Sequence, residues 1–171
     1  SEQQLMDCSR KEGDESCNGG LMDFAFQYYL DAGGACLEKD YPYMAHDQPK
    51  CKVCKKVVTI DGFADVKVND EADLFKHVSE QPVSIALDAS GAGYQFYKSG
   101  VFNSDSCGYD LDHGNVVVGY GQEDGQDYWI VRNSWGADWG DHGYIKLARG
   151  FSDPRGICGL AMSASYPVLQ A

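Results

Sequence analysis

The chain has 171 residues, 43% of them apolar, which is enough to bury a real core and fits one domain or two small lobes better than several independent domains. Lys and Arg number 14 against 26 Asp and Glu, a net charge of −12 that argues against a nucleic-acid partner, because such a partner needs a basic stripe to displace phosphate counterions. No apolar run is long enough to span a bilayer, so no membrane partner is expected either.

In chain order, Ser1-Glu2-Gln3-Gln4 reads as a capping box, the Ser1 hydroxyl serving one backbone N–H and the Gln4 amide reaching back, with a short helix carrying Leu5 and Met6 behind it. Asn18 precedes Gly19 and Gly20, after which Leu21, Ala25, Tyr28, Tyr29 and Ala32 recur at helical spacing until Gly33 and Gly34 stop the turn. A loop rich in Pro, Lys and Cys runs over 38–56. Asp70 and Asp73 then open a helix carrying Leu74, Phe75 and Val78, closed before Pro82. From there the period changes to two: Val83, Ile85 and Leu87 alternate with Ser84, Ala86 and Asp88, and β-rich runs follow over 115–120, 128–133 and 144–147 between Gly-containing turns. A helical portion followed by an antiparallel β portion indicates an α+β arrangement with segregated lobes, and a cleft between lobes is the expected place for a site.

Seven cysteines, Cys8, Cys17, Cys36, Cys51, Cys54, Cys107 and Cys158, are too many and too dispersed for an ordinary cytosolic enzyme and suggest disulfides made along a secretory or vesicular route. Their odd number leaves one thiol free or paired outside the sequence. Cys51-Lys-Val-Cys54 could form a redox or zinc pair, but no second paired-ligand segment accompanies it and a zinc site needs about four ligands. No metal or cofactor is expected.

Among the four histidines, His46 lies in a polar loop and His77 on a charged helix, where a solvated or structural role suffices. His113 sits at the mouth of a buried strand in Leu-Asp-His-Gly-Asn-Val-Val-Val, with a carboxylate before it and a glycine after it that lets a ligand approach the backbone. A second group is Tyr-Trp-Ile-Val-Arg-Asn-Ser-Trp-Gly, a half-buried strand ending at Asn133 and followed by Trp135, then Trp139. Asparagine at a strand end commonly forms a turn. A catalytic imidazole, however, needs one nitrogen facing the reacting group and the other held by an acceptor that fixes its tautomer, and an amide oxygen under an indole supplies that. On the residues alone, both meanings stand.

Cys17-Asn-Gly-Gly-Leu-Met22, Asp40-Tyr-Pro-Tyr43, Leu111-Asp-His-Gly114, Val118-Gly-Tyr-Gly121, Asn133-Ser-Trp-Gly136 and Trp139-Gly-Asp-His-Gly-Tyr144 occur in the order of the papain and cathepsin L family of cysteine proteases, which the chain resembles over almost its whole length. The resemblance implies a papain-like two-lobe fold, with an incomplete helical left lobe over 1–64, joined by a return of 166–171, and an antiparallel β-barrel-like right lobe over 65–165. It implies that His113 pairs with a thiolate and Asn133 holds the ring's other nitrogen, with Trp135 shielding that bond. Gly19 and Gly20 match the backbone that pairs with extended substrate. Leu21, Met22, Ala86, Leu111, Gly114 and Ser163 fall at the main specificity pocket, and Asp112 beside His113 is assigned to the same substrate-binding set. Disulfides Cys8–Cys51 and Cys107–Cys158 are implied, Cys17 corresponds to a cysteine whose partner lies in a missing segment, and Cys36 and Cys54, outside the usual set, are guessed to pair with each other.

The family's nucleophilic cysteine and the glutamine of its oxyanion hole have no counterpart among these residues. The expectation is therefore a cysteine-type endopeptidase present as an inactive, poorly folding fragment, with a non-catalytic, peptide-binding pseudoprotease as the alternative. Expected partners are an extended protein or peptide substrate and a pro-segment or protein inhibitor. The expected state is a monomer, and the expected location is the lysosome or vacuole, or the extracellular space.

Overall fold

The computed structural model describes residues 1–169, so positions 170 and 171 of the expected C-terminal return lie outside the described residues. The chain divides into two compact units, one formed by Ser1–Ala64 with the chain from Pro167 onward, the other by Asp65–Tyr166.

The first unit holds α1 (Glu2–Cys8), 3-10 turns at Ser9–Lys11 and Ser16–Asn18, α2 (Met22–Asp31), and an antiparallel pair of short strands, β1 (Ala35–Cys36) and β2 (Lys56–Val58). Ser1 caps α1 as its position predicts, its hydroxyl accepting from the Gln4 N–H at 3.2 Å. The other half of the expected capping box is absent. The Gln4 side chain turns into the interior, where its Oε1 accepts from the Cys36 N–H at 2.8 Å and its Nε2 donates to the Gly34 carbonyl and the Tyr28 hydroxyl, each at 3.2 Å. The reason is satisfaction of buried backbone: the Cys36 N–H and the Gly34 carbonyl at the start of β1 find their partners in this side chain from α1.

This interior is unusually polar. Gln3, Gln4, Asp7 and Ser9 are buried. Asp7 Oδ1 accepts from Gln3 Nε2 at 2.7 Å and from the Gln48 N–H at 3.1 Å, while Oδ2 accepts from the Tyr41 hydroxyl at 2.7 Å. Burial pushes the Tyr41 phenol up to about 12. Disulfides Cys8–Cys51 and Cys36–Cys54 tie the 38–56 loop to α1 and β1.

The second unit contains α3 (Glu71–Val78), β4 (Val83–Leu87), a single turn of helix α4 (Ala92–Gln95), β5 (Val101–Phe102), β6 (His113–Glu123), β7 (Gln126–Arg132), β8 (Tyr144–Ala148) and a 3-10 turn at Ile157–Gly159. Strands β3 (Gly62–Asp65) and β9 (Ala164–Val168) carry the chain between units, and the sheet order is β3-β9-β4-β6-β7-β8-β5. The α+β architecture is that expected, with one local departure: β5 runs parallel to β8, pairing Val101 with Lys146, in a sheet expected to be antiparallel. A parallel neighbour requires a long crossover, which the chain between β5 and β8 provides by way of β6 and β7.

Asp70 caps α3, accepting from the N–H groups of Ala72 and Asp73 at 3.1 and 3.0 Å. The alternation in β4 buries Val83, Ile85 and Leu87 completely, each contributing about 1.5–3 kcal/mol. β6 and β7 are joined by Asp124-Gly125, both at positive φ, 50° and 81°, the combination a two-residue hairpin turn needs. The apolar core, from Val66 to Ala164, lies in this unit and includes Trp129, Val131, Ile145 and Leu147. Cys107–Cys158 is buried within it. Among the described residues no helix is long and apolar enough to cross a membrane, and no cluster of three or more His, Cys, Asp or Glu could hold a metal ion.

Candidate active site

His113 is the first residue of β6 and Asn133 directly follows the last residue of β7, so the antiparallel hairpin, which pairs Val116 with Arg132, brings both to the same end of the sheet. His113 Nε2 lies 2.8 Å from Asn133 Oδ1. That oxygen also accepts from the Ser134 N–H at 2.7 Å. A backbone N–H can only donate, so the amide oxygen faces this point and the imidazole must donate Nε2–H to it. The ring's proton-exchanging nitrogen is then Nδ1. Asn133 is only 8% exposed and its backbone N–H donates to the Gly143 carbonyl at 3.0 Å, which anchors the amide to the strap leading into β8.

Trp135 covers the pair, its ring 4.9 Å from that of His113 at 32°, and is itself 41% exposed. Behind it stand Trp139, edge-on at 5.2 Å, and the wholly buried Tyr94, edge-on at 5.8 Å. Tyr94 and Trp139 also face each other at 5.5 Å, and the Trp139 indole N–H donates to the Gln95 carbonyl at 2.8 Å. Such edge-to-face contacts fix ring positions as well as burying area.

On the other side of His113, β4 supplies Leu87 opposite it and Ala86 opposite Gly114. The Ala86 N–H donates to the Ser163 carbonyl at 2.9 Å, so Ala86, Gly114 and Ser163 lie together beside the histidine. Leu111 packs over Gly159, where an added Cβ would come within 3.0 Å of its Cδ2 and 2.9 Å of the Met162 sulfur. Asp112 does not face His113 through a hydrogen bond; its Oδ1 accepts from the Ala89 N–H at 2.8 Å, and its own N–H donates to the Leu87 carbonyl at 3.1 Å. The carboxylate thus splints the end of β4 to the start of β6.

In the first unit, Gly19, Gly20 and Leu21 are exposed and Met22 begins α2. Asp14 organises them: its Oδ1 accepts from the Leu21 N–H at 3.1 Å and its Oδ2 from the Ser9 hydroxyl at 2.6 Å. A Cβ on Gly20 would fall 2.0 Å from Asp14 Oδ1, so only glycine lets the backbone approach the carboxylate.

The remaining histidines are placed elsewhere. His46 bonds the Met44 carbonyl in an exposed loop, His77 stacks on Tyr166 at 4.3 Å, and His142 is solvated. Six cysteines form Cys8–Cys51, Cys36–Cys54 and Cys107–Cys158, and Cys17 carries a free, exposed thiol. Tyr94 and Asn115, which touch the site from behind, escaped sequence reasoning. The available signal was Asn115 itself, an amide directly before the run Val-Val-Val.

The chain matches the papain family of cysteine proteases over residues 1–168. It is 54% identical over 170 residues to a probable cysteine protease of Arabidopsis thaliana, covering 98% of this chain and 37% of that protein. The chain spans about half the length, or less, of the curated relatives it matches. Among solved structures it resembles the bromelain protease from Ananas comosus in complex with an inhibitor, at a TM-score of 0.94 and 43% identity over 99% of this chain and 78% of that one. It also resembles a ragweed pollen cysteine protease in its proform, with the same TM-score and identity, over 100% of this chain and 52% of that one.

Proposed function

The chain belongs to the papain family of cysteine proteases, and from that membership we propose that it carries the imidazole–amide half of an endopeptidase site that cleaves peptide bonds through a thioester acyl-enzyme. The observation that carries this is the 2.8 Å contact of His113 Nε2 with Asn133 Oδ1 beneath Trp135. A neutral amide holds the ring without neutralising it, so an imidazolium can stabilise a thiolate at its Nδ1 side. The thiolate attacks the substrate carbonyl, and Nδ1–H then protonates the departing amine, leaving a thioester. Water, deprotonated by Nδ1, cleaves the thioester and regenerates the thiol. Trp135 keeps bulk water from competing for the Nε2–H bond throughout.

With six cysteines in disulfides and Cys17 in a surface turn, the nucleophile is assigned to the part of the whole protein outside these residues, and the chain alone is inactive. The intact His113–Asn133 bond favours an enzyme over a binding-only relative, in which nothing would maintain that geometry. Gly19 and Gly20 are assigned to main-chain pairing with extended substrate, with Leu21 and Met22 beside them. Ala86, Leu111, Asp112, Gly114 and Ser163 are assigned to the substrate side of His113, where the absence of basic or acidic groups other than the splinted Asp112 selects a large apolar side chain one residue before the scissile one. The inhibitor complex and the proform among its structural relatives support a substrate, an inhibitor or a pro-segment as the occupant. Three disulfides support passage through a secretory route to a vacuole or the exterior.

The test is hydrolysis of a fluorogenic peptide by the full-length protein. A thiol-alkylating reagent is expected to abolish it, and His113→Ala to lower kcat/KM by about 10³-fold. The chain alone is expected to release no fluorophore. A full-length protein that binds peptide without turnover establishes the binding-only alternative instead, and equal cleavage of substrates with arginine at the selected position refutes the apolar preference.

A further inference from the structure

Two buried amide atoms near His113 have no hydrogen-bond partner among the described residues, and they are complementary: Asn133 Nδ2, a donor, and Asn115 Oδ1, an acceptor. The residues are 8% and 5% exposed. An unpaired polar group so placed is costly, so two opposite ones in one neighbourhood call for a common explanation.

Strand register supplies it. β6 and β7 pair Val117 with Val131 and Val116 with Arg132, and continuing that register by one residue sets Asn115 opposite Asn133. Directly opposed residues of an antiparallel pair have Cβ atoms about 4.5–5.5 Å apart. Strand alternation also puts Asn115 on the same face as His113, one pleat further in. The far side of the Asn115 amide is held, because its Nδ2 donates to the Tyr94 hydroxyl. Tyr94 is wholly buried and its ring stands edge-on to Trp135 at 5.8 Å.

We propose that Asn115 is a positioning residue for the site: its side-chain oxygen accepts from Asn133 Nδ2 through one bridging water, and so locks the Asn133 amide with its oxygen toward His113. The donor Nδ2 cannot then rotate to the imidazole, where it would offer a hydrogen to a nitrogen that must itself donate. Tyr94 sets the Asn115 amide in turn, and the same ring braces Trp135 over the hydrogen bond it covers. The lock and the lid are therefore fixed by one buried pair. Asn115's part presupposes the role proposed above for Asn133.

The test uses the full-length protein and nitrogen-15 NMR of its His113 imidazole. Asn115→Val removes the acceptor, and Asn115→Thr, of nearly the same shape, restores a hydroxyl oxygen. In Asn115→Val the solvent exchange of His113 Nε2–H is expected to rise about tenfold, the size of one hydrogen bond lost, with the valine variant's thermal transition retained. Asn115→Thr is expected to stay within about twofold of the parent protein, and Tyr94→Phe to fall between. Unchanged exchange in a folded Asn115→Val protein overturns the proposal. Fast exchange in the parent protein itself would instead overturn the His113–Asn133 pairing. Should the valine variant not fold, a crystal structure of the parent protein decides: Asn133 Nδ2 reaching Asn115 Oδ1 by one water supports the lock, and Nδ2 directed to any other acceptor overturns it.

Discussion

Asp88 is 3% exposed, yet its carboxylate is fully engaged: Oδ1 accepts from the Ser90 hydroxyl at 2.6 Å and the Ser90 N–H at 3.0 Å, and Oδ2 from the Asp110 N–H at 3.2 Å. The Ser90 hydroxyl above all, and these backbone donors with it, hold the carboxyl below the usual carboxylate range against the opposing pull of burial. The folded state therefore binds this proton less readily than the unfolded chain, whose aspartate titrates near about 3.9. The stabilisation is complete above that value and is lost as pH falls through the lower folded one. Denaturant titrations of the chain from about pH 6 to about pH 3 are expected to show stability declining on the acid side. Asp88→Asn should be less stable near neutrality and flatter in acid, and an unchanged acid slope would exclude Asp88 as a source of it. Asp88 was visible in the sequence only as a polar position in an alternating strand, because its donors Ser90 and Asp110 belong to two separate loops, before α4 and after β5, whose paths the strand does not dictate. His113 and Asn133, by contrast, stand inside strings specific enough to single them out.

Glu71, the first residue of α3, does more than favour the helix dipole. Its Oε1 accepts from the Trp129 indole N–H at 2.8 Å, and its Oε2 from the N–H groups of Gly150 and Phe151 at 3.0 and 3.2 Å. One carboxylate thus joins the start of a helix to the middle of β7 and to the chain leaving β8. Arg149 lies over the rings of Phe75, Tyr120 and Trp129 at 4.8, 5.7 and 5.5 Å, closing the same corner. Glu71→Ala leaves a wholly buried indole N–H unpaired and is expected to cost about 1–3 kcal/mol in chemical denaturation of the chain. Asp70→Ala, which removes the cap and an exposed ion pair with Lys67 at 2.9 Å, is expected to cost about 1 kcal/mol; equal losses would mean that Glu71 acts through the helix start alone. The helices and long strands could be read from periodicity. β1, β5 and α4 could not, since elements of two to four residues are too short to show any period.

The two units are stabilised differently. The contiguous apolar core belongs to Asp65–Tyr166, whereas Ser1–Ala64 encloses few apolar side chains and relies on the Gln3, Gln4, Asp7 and Tyr41 network and on two disulfides closing separations of 43 and 18 residues. A unit this small cannot bury enough surface to be stable without such staples, each worth about 2–5 kcal/mol. Reduction with a dithiol is therefore expected to release amide protection throughout α1, α2 and β1 in hydrogen exchange while β4, β6 and β7, held by the apolar core in which Cys107–Cys158 is buried, stay protected. Uniform loss of protection in both units would show that their stabilities are not separable in this way.

The sequence by itself determined the family, the candidate residues His113 and Asn133, the spacing of the main helices and strands and the number of cysteines available for pairing, because each is written in a local string or a short period. Tertiary structure alone decided which partner each buried polar group finds. Gln4 goes to Cys36 rather than back to its own cap, Glu71 to Trp129, and Asn115 to Tyr94. Those partners lie 32, 58 and 21 residues away. Their meeting depends on strand register and crossover path, properties of the whole packed chain that no window of sequence contains.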